Sequence, residues 1–413
     1  MSFLVETEYN SITMNLNEIG SVSGKKILFL QGPMGPFFAK LEKLFSEAGA
    51  STYRIGLNAA DYFFAYKHAY TPFRGKSEAW PDFIDAYLKK HQIEMIFLFG
   101  DCRFYQSRAI DAAKKLDIDV FVFEEGYIRP DYITLERYGV NDYSRIPHDP
   151  AFYRSLELTE LPSPKPVRAS GFKLAYSAVA YYAVANLFSW RYPHYRHHRD
   201  FSASREFYVA LRNIVRKYIY AYTERGILEE VRGEWSKRYF FVPLQTHNDF
   251  QVLQHSRYRS VEKFIVDVLS SFSENAKKEH MLVFKHHPVD RGRKNYAGFI
   301  FEHAEKLGVA PRVRVLHDVH LPALLKHAIG TVTINSTVGL SSLHHKTPTV
   351  TMGNAIYGID GLTVSASGLD SFWTQPEPVD YELYQRFRQY LVRHTQLNGS
   401  FYGKFFMNEE KYS

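Results

Sequence analysis

Cysteine and long apolar runs are scarce in this sequence. Among 413 residues Cys102 is the only cysteine, which excludes an internal disulfide and is typical of a chain kept in a reducing compartment. Residues 1–23 are polar and contain no apolar core, so they lack the pattern of a secretion signal. The longest apolar stretch, Leu174 to Trp190, contains Tyr, Ser and Asn and falls short of the ~20 apolar residues of a bilayer span. We therefore expect a cytoplasmic protein that is at most peripheral on a membrane.

Aromatic residues and positive charge, in contrast, are abundant. The 30 tyrosines and 32 phenylalanines bring the aromatic fraction to 16%, and tyrosine suits surfaces that meet sugar rings or lipid headgroups. A formal net charge of +7 favours anionic partners such as nucleotides, nucleic acids or anionic lipid. No base-reading motif accompanies this charge, so nucleic acid is not expected as a partner.

Short apolar runs alternate with helical periodicity in two regions of the chain, and each run ends in glycine or in polar residues. This alternation predicts an α/β protein with two doubly wound, Rossmann-like domains that face a cleft, and the chain length suits two domains. The predicted strands are Lys26–Leu30, Met95–Phe99, Val120–Phe123, Tyr239–Val242, Met281–Phe284, Val313–Leu316, Thr331–Ile334 and Thr349–Thr351.

The predicted domain bounds follow from these runs. After a polar leader of residues 1–23 we assign residues 24–160 to the first domain and 235–375 to the second. Residues 376–413 form a C-terminal tail that begins with a helix through Tyr381 and Leu391.

Residues 161–234 form a linker and a helical insert between the two domains. Leu161–Pro166 contains three prolines, which prevent regular structure. Phe172–Arg232 has a helical pattern rich in Tyr, Arg and His. Two interpretations stay open: a basic aromatic surface that lies on an anionic membrane, or an ordinary helix pair whose cations are solvated.

Candidate ligand-binding residues follow the predicted strands, because ligands of open α/β sheets bind beyond the carboxyl ends of the strands. Glu124 and Glu125 come at the end of a buried strand, where a carboxylate pair can supply a nucleophile or a base. The alternative is a surface turn with solvated acids. Arg129 is a candidate for the cation that holds one carboxylate ionised, and Cys102 is read as a small buried filler rather than a nucleophile.

Three further strand ends have a polar or basic character. Gln31–Pro36 precedes a helix, so its backbone amides can hold an anion, but taken alone the motif favours a structural turn. Lys285–Arg291 is basic and suits a phosphate better than a metal ion. Asn335–Gly339 offers hydroxyls and amides to a phosphate, or simply caps a helix. The histidine pairs at 197–198, 286–287 and 344–345 have no carboxylate or cysteine at ligand spacing, so no metal site is predicted.

Together these motifs, in this order, resemble the KpsS/LipB family of capsule polysaccharide proteins, and the similar stretches extend from residue 30 to residue 402. The resemblance implies a GT-B-like fold and a retaining β-Kdo glycosyltransferase that uses CMP-Kdo. It also implies an acceptor lipid of the phosphatidylglycerol or lysophosphatidylglycerol type at the inner membrane surface. Capsule assembly proteins, including a second Kdo transferase, are the implied partners. The stretches that carry the resemblance are Leu30–Phe38, Phe99–Arg103, Glu124–Pro130, Ile133–Glu136, Gly139–Asn141, Phe284–Pro288, Asn335–Gly339 and Thr395–Tyr402.

Site residues follow from the resemblance by motif. The acidic-acidic-Gly, His-Pro and Ser-Ser/Thr motifs that the family shares with bacterial sialyltransferases correspond to Glu124-Glu125-Gly126, His287-Pro288 and Ser336-Thr337. Retention implies two displacements with a carboxylate nucleophile, for which we favour Glu125 over Glu124, and Asp101 is the candidate base. The implied donor-binding residues are Lys285, His286, His287, Pro288, Asn335, Ser336 and Thr337, and those for the Kdo carboxylate or the acceptor are Gln31, Gly32, Arg103 and Arg129. Neither a metal ion nor a cofactor is expected.

Two other classes of protein remain as alternatives. A transferase or epimerase of the same architecture that uses a UDP-sugar would have a similar pattern of strands. A non-catalytic export or scaffold protein of the capsule machinery is the other, and the carboxylate pair and basic cluster argue against it.

Overall fold

The computed structural model describes residues 19–66, 68–167, 171–197, 203–247, 252 and 256–403, so the predictions for residues 1–18 and for His198 lie outside the described residues. The chain divides into two compact units. The first unit consists of Met1–Arg145, Glu160–Asp200 and Tyr390–Ser413, and the second of Ile146–Thr159 and Phe201–Gln389. Each unit has one mostly parallel sheet with helices, so the predicted α/β class is confirmed.

The strands and helices alternate along most of the chain. The strands are β1 (Lys26–Phe29), β2 (Ser51–Gly56), β3 (Tyr70–Pro72), β4 (Met95–Phe99), β5 (Asp119–Glu125), β6 (Tyr132–Arg137), β7 (Tyr239–Pro243), β8 (Met281–Lys285), β9 (Val313–Leu316), β10 (Gly330–Thr333), β11 (Thr349–Thr351), β12 (Val364–Ser365) and β13 (Gln396–Asn398). The helices are α1 (Phe37–Glu47), α2 (Ala59–Phe63), α3 (Trp80–His91), α4 (Phe104–Lys115), α5 (Pro150–Ser155), α6 (Gly171–Leu187), α7 (Ala203–Thr223), α8 (Ile227–Arg232), α9 (Val261–Asn275), α10 (Ala297–Lys306), α11 (Leu321–His327), α12 (Val338–His344), α13 (Leu369–Phe372) and α14 (Tyr381–His394).

The first unit contains a seven-stranded sheet in the order β13-β6-β5-β4-β1-β2-β3. Its central strands β4 and β5 have continuous apolar runs because both faces of the sheet are covered there. Phe121 and Phe123 pack against α1 on one face, whereas Val120 and Val122 pack with α3 and α4 on the other. Strands β1 to β5 run parallel, and at one edge β6 pairs antiparallel with β5 and β13 pairs antiparallel with β6. The carboxyl ends of β1, β4 and β5 therefore lie side by side.

The second unit contains a six-stranded parallel sheet in the order β12-β11-β10-β7-β8-β9. Phe240 and Val242 face a core that α9 completes, while Tyr239 and Phe241 face one that α11 completes. The carboxyl ends of the central strands β10, β7 and β8 are neighbours in this sheet.

The observed units differ from the predicted domain bounds at the insert and at the tail. The insert is divided between the two units: residues 160–200 belong to the first unit and residues 201–234 to the second. The predicted tail helix exists as α14, but the tail also contains β13, which pairs with β6 in the first sheet. A strand of three residues carries too little periodicity to be recognised.

Within the part of the chain that the structure describes, none of the helices combines the length and the apolar character needed to cross a membrane.

Candidate functional site

The predicted acidic cluster lies at the carboxyl ends of β4 and β5. Phe99 and Phe123 are paired across these parallel strands, so the loop after β4 and the two glutamates at the end of β5 emerge together. The loop begins at Gly100, which adopts a left-handed conformation (φ +70°), and its amide donates to the carbonyl of Phe123 (2.9 Å). This turn brings Asp101 and Arg103 to the same edge of the sheet as Glu124.

Strand alternation separates the two glutamates. Glu124 is partly buried, and its Oε1 accepts a hydrogen bond from the amide of Glu125 (2.9 Å), whereas the side chain of Glu125 is exposed. Burial raises the pKa of Glu124 to about 7, and the positive charge of Arg103 limits the rise. A carboxyl group with this pKa can both accept and return a proton near neutral pH.

The cation beside Glu124 is Arg103 rather than the expected Arg129. The Arg103 guanidinium lies over the Phe99 ring (5.0 Å) and attracts the Glu124 carboxylate. Arg129 is exposed, and its Nε donates to the carbonyl of Gly126 (3.2 Å). The structure therefore places Arg103 at the acidic cluster and keeps Arg129 on the turn that follows β5.

Asp101 is buried and holds the local backbone. Its Oδ2 accepts from the amide of Val140 (2.8 Å), and its Oδ1 accepts from the Cys102 thiol (3.0 Å). Burial and the neighbouring Asp101 raise the pKa of Cys102, the opposite of what an activated thiolate requires. Cys102 is thus not an activated nucleophile, although it is partly rather than fully buried.

A second buried carboxyl group near this edge was not assigned any role from the sequence. Glu136 on β6 accepts from the Tyr127 hydroxyl (2.5 Å) and from the Ser144 hydroxyl, and the amide of Asn141 donates to the Tyr127 oxygen (2.7 Å). Burial raises the pKa of Glu136 to about 7, and the charge of Asp101 adds to the rise. The sequence signal that could have indicated Glu136 is its position directly after the apolar residues Ile133 and Leu135 of β6.

Gln31 lies at the end of β1 and is buried in a polar network. Its Nε2 donates to the hydroxyls of Tyr181 (2.9 Å) and Tyr195 (3.1 Å) and to Oδ2 of Asp61 (3.2 Å). The Tyr181 hydroxyl also accepts from the Asn58 side chain (2.7 Å), and burial raises the pKa of Asp61. Sequence reasoning missed Asp61, Tyr181 and Tyr195 because tertiary contact alone brings them to Gln31.

Steric crowding explains why glycine occupies position 32 after β1 and position 126 after β5. A Cβ at Gly32 would lie 2.7 Å from the Phe38 ring, and one at Gly126 would lie 2.0 Å from the carbonyl oxygen of Tyr132. Gly32, predicted to bind substrate, therefore has a packing role that suffices to explain it.

The basic cluster of the second unit lies at the end of β8. Lys285 is buried, its Nζ donates to the carbonyl of His317 (2.8 Å), and burial lowers its pKa. His286 is also buried and stacks on His317 with ring centroids 4.7 Å apart. Its Nε2 accepts from the amide of Tyr296 (3.2 Å), and burial lowers the pKa of His286 to about 3. The His286 ring is therefore neutral and turned into the core, which does not support its predicted role in donor binding.

His287 and Pro288 begin the short 3-10 helix Pro288–Gly292 that follows β8. Nδ1 of His287 accepts from the amide of Val289 (3.2 Å), which directs the other ring nitrogen away from the turn. The buried Asp290 accepts from Nδ1 of His247 (2.7 Å), and Arg291 pairs with Asp318. Arg291 is thus balanced by Asp318, an acid outside the predicted segment, whereas Asp290 inside the segment pairs with a histidine from elsewhere in the unit.

The third predicted cluster follows β10. The Asn335 side chain accepts from Gln245 Nε2 at the end of β7 (3.0 Å), and the Ser336 hydroxyl accepts from the amide of Val338 (3.3 Å). Thr337 precedes α12 and is partly buried, without a side-chain capping bond. A Cβ at Gly339 would lie 2.2 Å from the Tyr357 hydroxyl. Asn335 and Ser336 thus have structural contacts, and Lys285, Gln245 and Asn335 lie at the same edge of one sheet.

Over the described residues, no group of three or more His, Cys, Asp or Glu side chains is arranged to hold a metal ion. The chain contains one Asp-x-Asp sequence, Asp117-Ile118-Asp119. It lies at the amino end of β5, at the opposite edge from Glu124, and Asp119 there pairs with Arg137 (2.6 Å).

Comparisons with known proteins give consistent matches. A family model described as "Capsule polysaccharide biosynthesis protein" matches residues 94–402. The Escherichia coli capsule polysaccharide export protein KpsS is 38% identical over 92% of this chain and 98% of its own length. The Neisseria meningitidis serogroup B capsule polysaccharide modification protein LipB is 38% identical over 95% of both chains. Among solved structures, the β-Kdo 2,7 transferase KpsC of Thermosulfurimonas dismutans is 14% identical, with 88% of this chain and 89% of that chain covered and a TM-score of 0.40.

Proposed function

The chain belongs to the capsule polysaccharide biosynthesis family of KpsS and LipB, and on this premise we propose that it is a retaining β-Kdo glycosyltransferase. It transfers Kdo from CMP-Kdo to a lipid of the phosphatidylglycerol or lysophosphatidylglycerol type at the inner membrane surface. A second Kdo transferase of the capsule machinery then extends the product. The observation that carries the proposal is the acid pair at the end of β5, where Glu124 has a pKa of about 7 beside Arg103 and Glu125 is exposed.

The acid pair supports a double displacement. In the first step Glu125 attacks the anomeric carbon of Kdo, the bond to the CMP phosphate breaks, and CMP leaves with the bonding electrons. In the second step the acceptor hydroxyl loses its proton to Glu124 and displaces Glu125 from the same carbon, so that the configuration is retained. We assign the nucleophile to Glu125 because it is exposed, and proton transfer to Glu124 because its pKa is near neutral.

The remaining predicted residues take more limited roles. Asp101 is a positioning residue, since one of its oxygens accepts from Cys102 in the same loop and the other accepts from the amide of Val140 after β6. Arg103 stays the candidate for the Kdo carboxylate, which an arginine can bind through two parallel hydrogen bonds. In the second unit, Lys285, His287 and the hydroxyls of Ser336 and Thr337 are proposed to stabilise the phosphate of the leaving CMP.

Intact-protein mass spectrometry tests the nucleophile. Incubation with CMP-Kdo and no acceptor is expected to add the mass of one Kdo residue to the wild-type chain. Glu125→Ala removes the only exposed carboxylate of the pair, so this variant should show no adduct. Asp111→Ala, which alters an exposed acid on α4, is the matched control and should retain it. An adduct that persists in Glu125→Ala would contradict the assignment.

A non-catalytic role in export is the second candidate, because the E. coli relative KpsS is named an export protein. Release of CMP from CMP-Kdo separates the two candidates: a transferase releases CMP in proportion to enzyme, and a scaffold does not. Thermal-shift screening with CMP, UDP and GDP tests the donor class, and CMP should stabilise the fold most. The same CMP-release assay in excess chelator should give an unchanged rate if no metal ion takes part.

A further inference from the structure

Helix α6 carries one charged residue, Lys173 in its first turn, and most of its surface is exposed. Two of its 17 residues, Ser177 and Tyr181, are buried. From Leu174 to Trp190 the sequence contains no Asp, Glu, Lys or Arg. Its large apolar side chains are nevertheless exposed: Phe172 by 81%, Val179 by 69%, Leu187 by 71% and, just beyond the helix, Trp190 by 70%.

This exposure is unusual for a helix on a globular unit. An ordinary surface helix buries an apolar stripe and presents a charged face to water. Helix α3 follows that rule, since it buries Trp80 and Leu88 and carries Lys89 and Lys90 on its exposed side. The outer face of α6 has no charged residue to solvate it, and contiguous apolar surface of this kind marks an interaction site.

The chain around α6 carries charge of one sign. Between Leu161 and Arg199 there is no Asp or Glu. Lys173 lies at the first turn of the helix, and Arg191 and Arg196 follow its last turn with exposed side chains. Burial lowers the pKa of Lys40, and the nearby positive charge of Lys173 lowers it further. Because the charged residues that flank α6 are all positive, they complement an anionic surface.

The buried face of α6 contacts the candidate site of its own unit. Tyr181 accepts the hydrogen bond of Gln31 at the end of β1 and donates to Oδ1 of Asp61 (3.1 Å). One turn earlier, Ser177 packs against Gly35, where a Cβ would lie 3.0 Å from the serine oxygen. The helix is thus attached to the carboxyl edge of the first sheet by a polar face, while its apolar face points away from that contact.

We infer that α6 is a membrane-binding element whose outer face inserts into a leaflet that contains anionic phospholipid. The helix lies along the interface and does not span the bilayer, because 17 residues rise about 25 Å and a hydrocarbon core measures about 30 Å. Trp190 and Tyr176 suit the headgroup region. The arrangement sets the end of β1 beside the headgroups, so the acceptor lipid reaches the site along α6. This last step rests on the proposed function, whereas membrane binding does not.

Tryptophan fluorescence gives a direct test, because the other three tryptophans, Trp80, Trp235 and Trp373, are at most 5% exposed. Vesicles of phosphatidylcholine with phosphatidylglycerol should shift the emission of the full chain to the blue. Lipid brominated on the acyl chain should quench it. Trp190→Phe should remove the shift and the quenching while the chain still floats with the vesicles. Flotation without any response of Trp190 would assign membrane binding to another surface and overturn the inference.

Paired variants separate the apolar and electrostatic contributions. Val179→Lys combined with Leu187→Lys should weaken partitioning onto vesicles of phosphatidylcholine alone by at least about tenfold, and uncharged vesicles are used because anionic lipid would attract the two added cations. Phe301→Lys, an exposed site on α10, should leave it unchanged. Lys173→Gln with Arg191→Gln should weaken binding to anionic vesicles and spare binding to phosphatidylcholine. The control for this pair is Lys114→Gln with Lys115→Gln on α4. Equal partitioning of the lysine variants and the wild type, or dimerisation through α6 in place of lipid binding, would refute the inference.

Activity on a short-chain, water-soluble acceptor separates this inference from the proposed function. The lysine variants should release CMP on that acceptor at the wild-type rate and lose activity only on vesicles. Normal flotation with no CMP release on either acceptor would leave α6 as a membrane element and contradict the transferase proposal.

Discussion

Glu124 illustrates how one strand end produces two carboxyl groups with different chemistry. Its neighbour Glu125 points outward, while the side chain of Glu124 is drawn between Arg103 and the backbone. The raised pKa of Glu124 makes stability depend on pH. At pH values between the ordinary glutamate pKa and about 7, the folded chain keeps the Glu124 proton, whereas the unfolded chain has released it. Stability contributed at this site therefore falls as the pH rises through that window.

The pH profile of turnover should report Glu124 directly. If its ionised form accepts the acceptor's proton, kcat/KM on the soluble acceptor should decline below a midpoint near pH 7. Arg103 lowers the pKa of Glu124, so Arg103→Gln should move this midpoint to higher pH. Arg108→Gln, which alters an exposed pair on α4, should not move it. An Arg103→Gln midpoint at or below that of the wild type would contradict this electrostatic role.

At the scale of elements, the β5–β6 turn depends on a glycine. Replacement of Gly126 with alanine would push a methyl group to 2.0 Å from the Tyr132 carbonyl oxygen, and backbone cannot yield as a flexible side chain can. We expect a loss of about 1–3 kcal/mol in the free energy of unfolding, measured by denaturant titration.

Gly298→Ala is the matched control for that turn. It lies in α10 with no atom within 4 Å of the new methyl group, so alanine should stabilise the helix by up to about 1 kcal/mol. Equal stability of the two alanine variants would show that the turn tolerates a side chain.

The elements best predicted from sequence were the continuous apolar strands. Met95–Phe99 was predicted with the bounds that the structure has, because a strand covered on both faces is apolar throughout. Val313–Leu316 was also predicted with its observed bounds, although Arg314 interrupts its apolar run. Strand β2 was missed because Ser51, Thr52, Arg54 and Gly56 leave it few apolar residues, and only the fold shows that Arg54 pairs with the buried Glu42 (2.5 Å). Strands β3, β12 and β13 are too short to carry a pattern.

Part of the candidate site could be predicted because its residues directly follow strands that were themselves predicted. Residues directly after strands, such as Glu124 and Lys285, follow from the rule for parallel sheets. Tyr181 and Glu224 could not be predicted, because each reaches its sheet from a helix far away in sequence. Glu224, for example, accepts hydrogen bonds from the amide and Nδ1 of His317 after β9 (2.7 and 2.9 Å).

At the scale of the whole molecule, the first unit is assembled from separate parts of the chain. Strand β13 follows the entire second unit in sequence, yet it pairs with β6, and the Gln396 side chain accepts from the amide of Tyr127 (3.0 Å). A chain that ends at His394 should therefore lose protection of β5 and β6 amides in hydrogen exchange, while β7 and β8 keep theirs. A chain that ends at Gly403 retains every described residue and serves as the control. Unchanged protection of β6 in the shorter chain would show that β13 is dispensable.

The position of β13 also sets an order of events during synthesis. The ribosome completes the second unit before it releases the strand that covers the edge of β6, so a nascent first unit carries an open sheet edge throughout that interval. Open edges are templates for association with other chains. Strand β6 is the edge strand of the first sheet during this interval. It ends at Arg137, which pairs with Asp119 of β5, so a charged residue lies at the end of this edge strand until β13 is added.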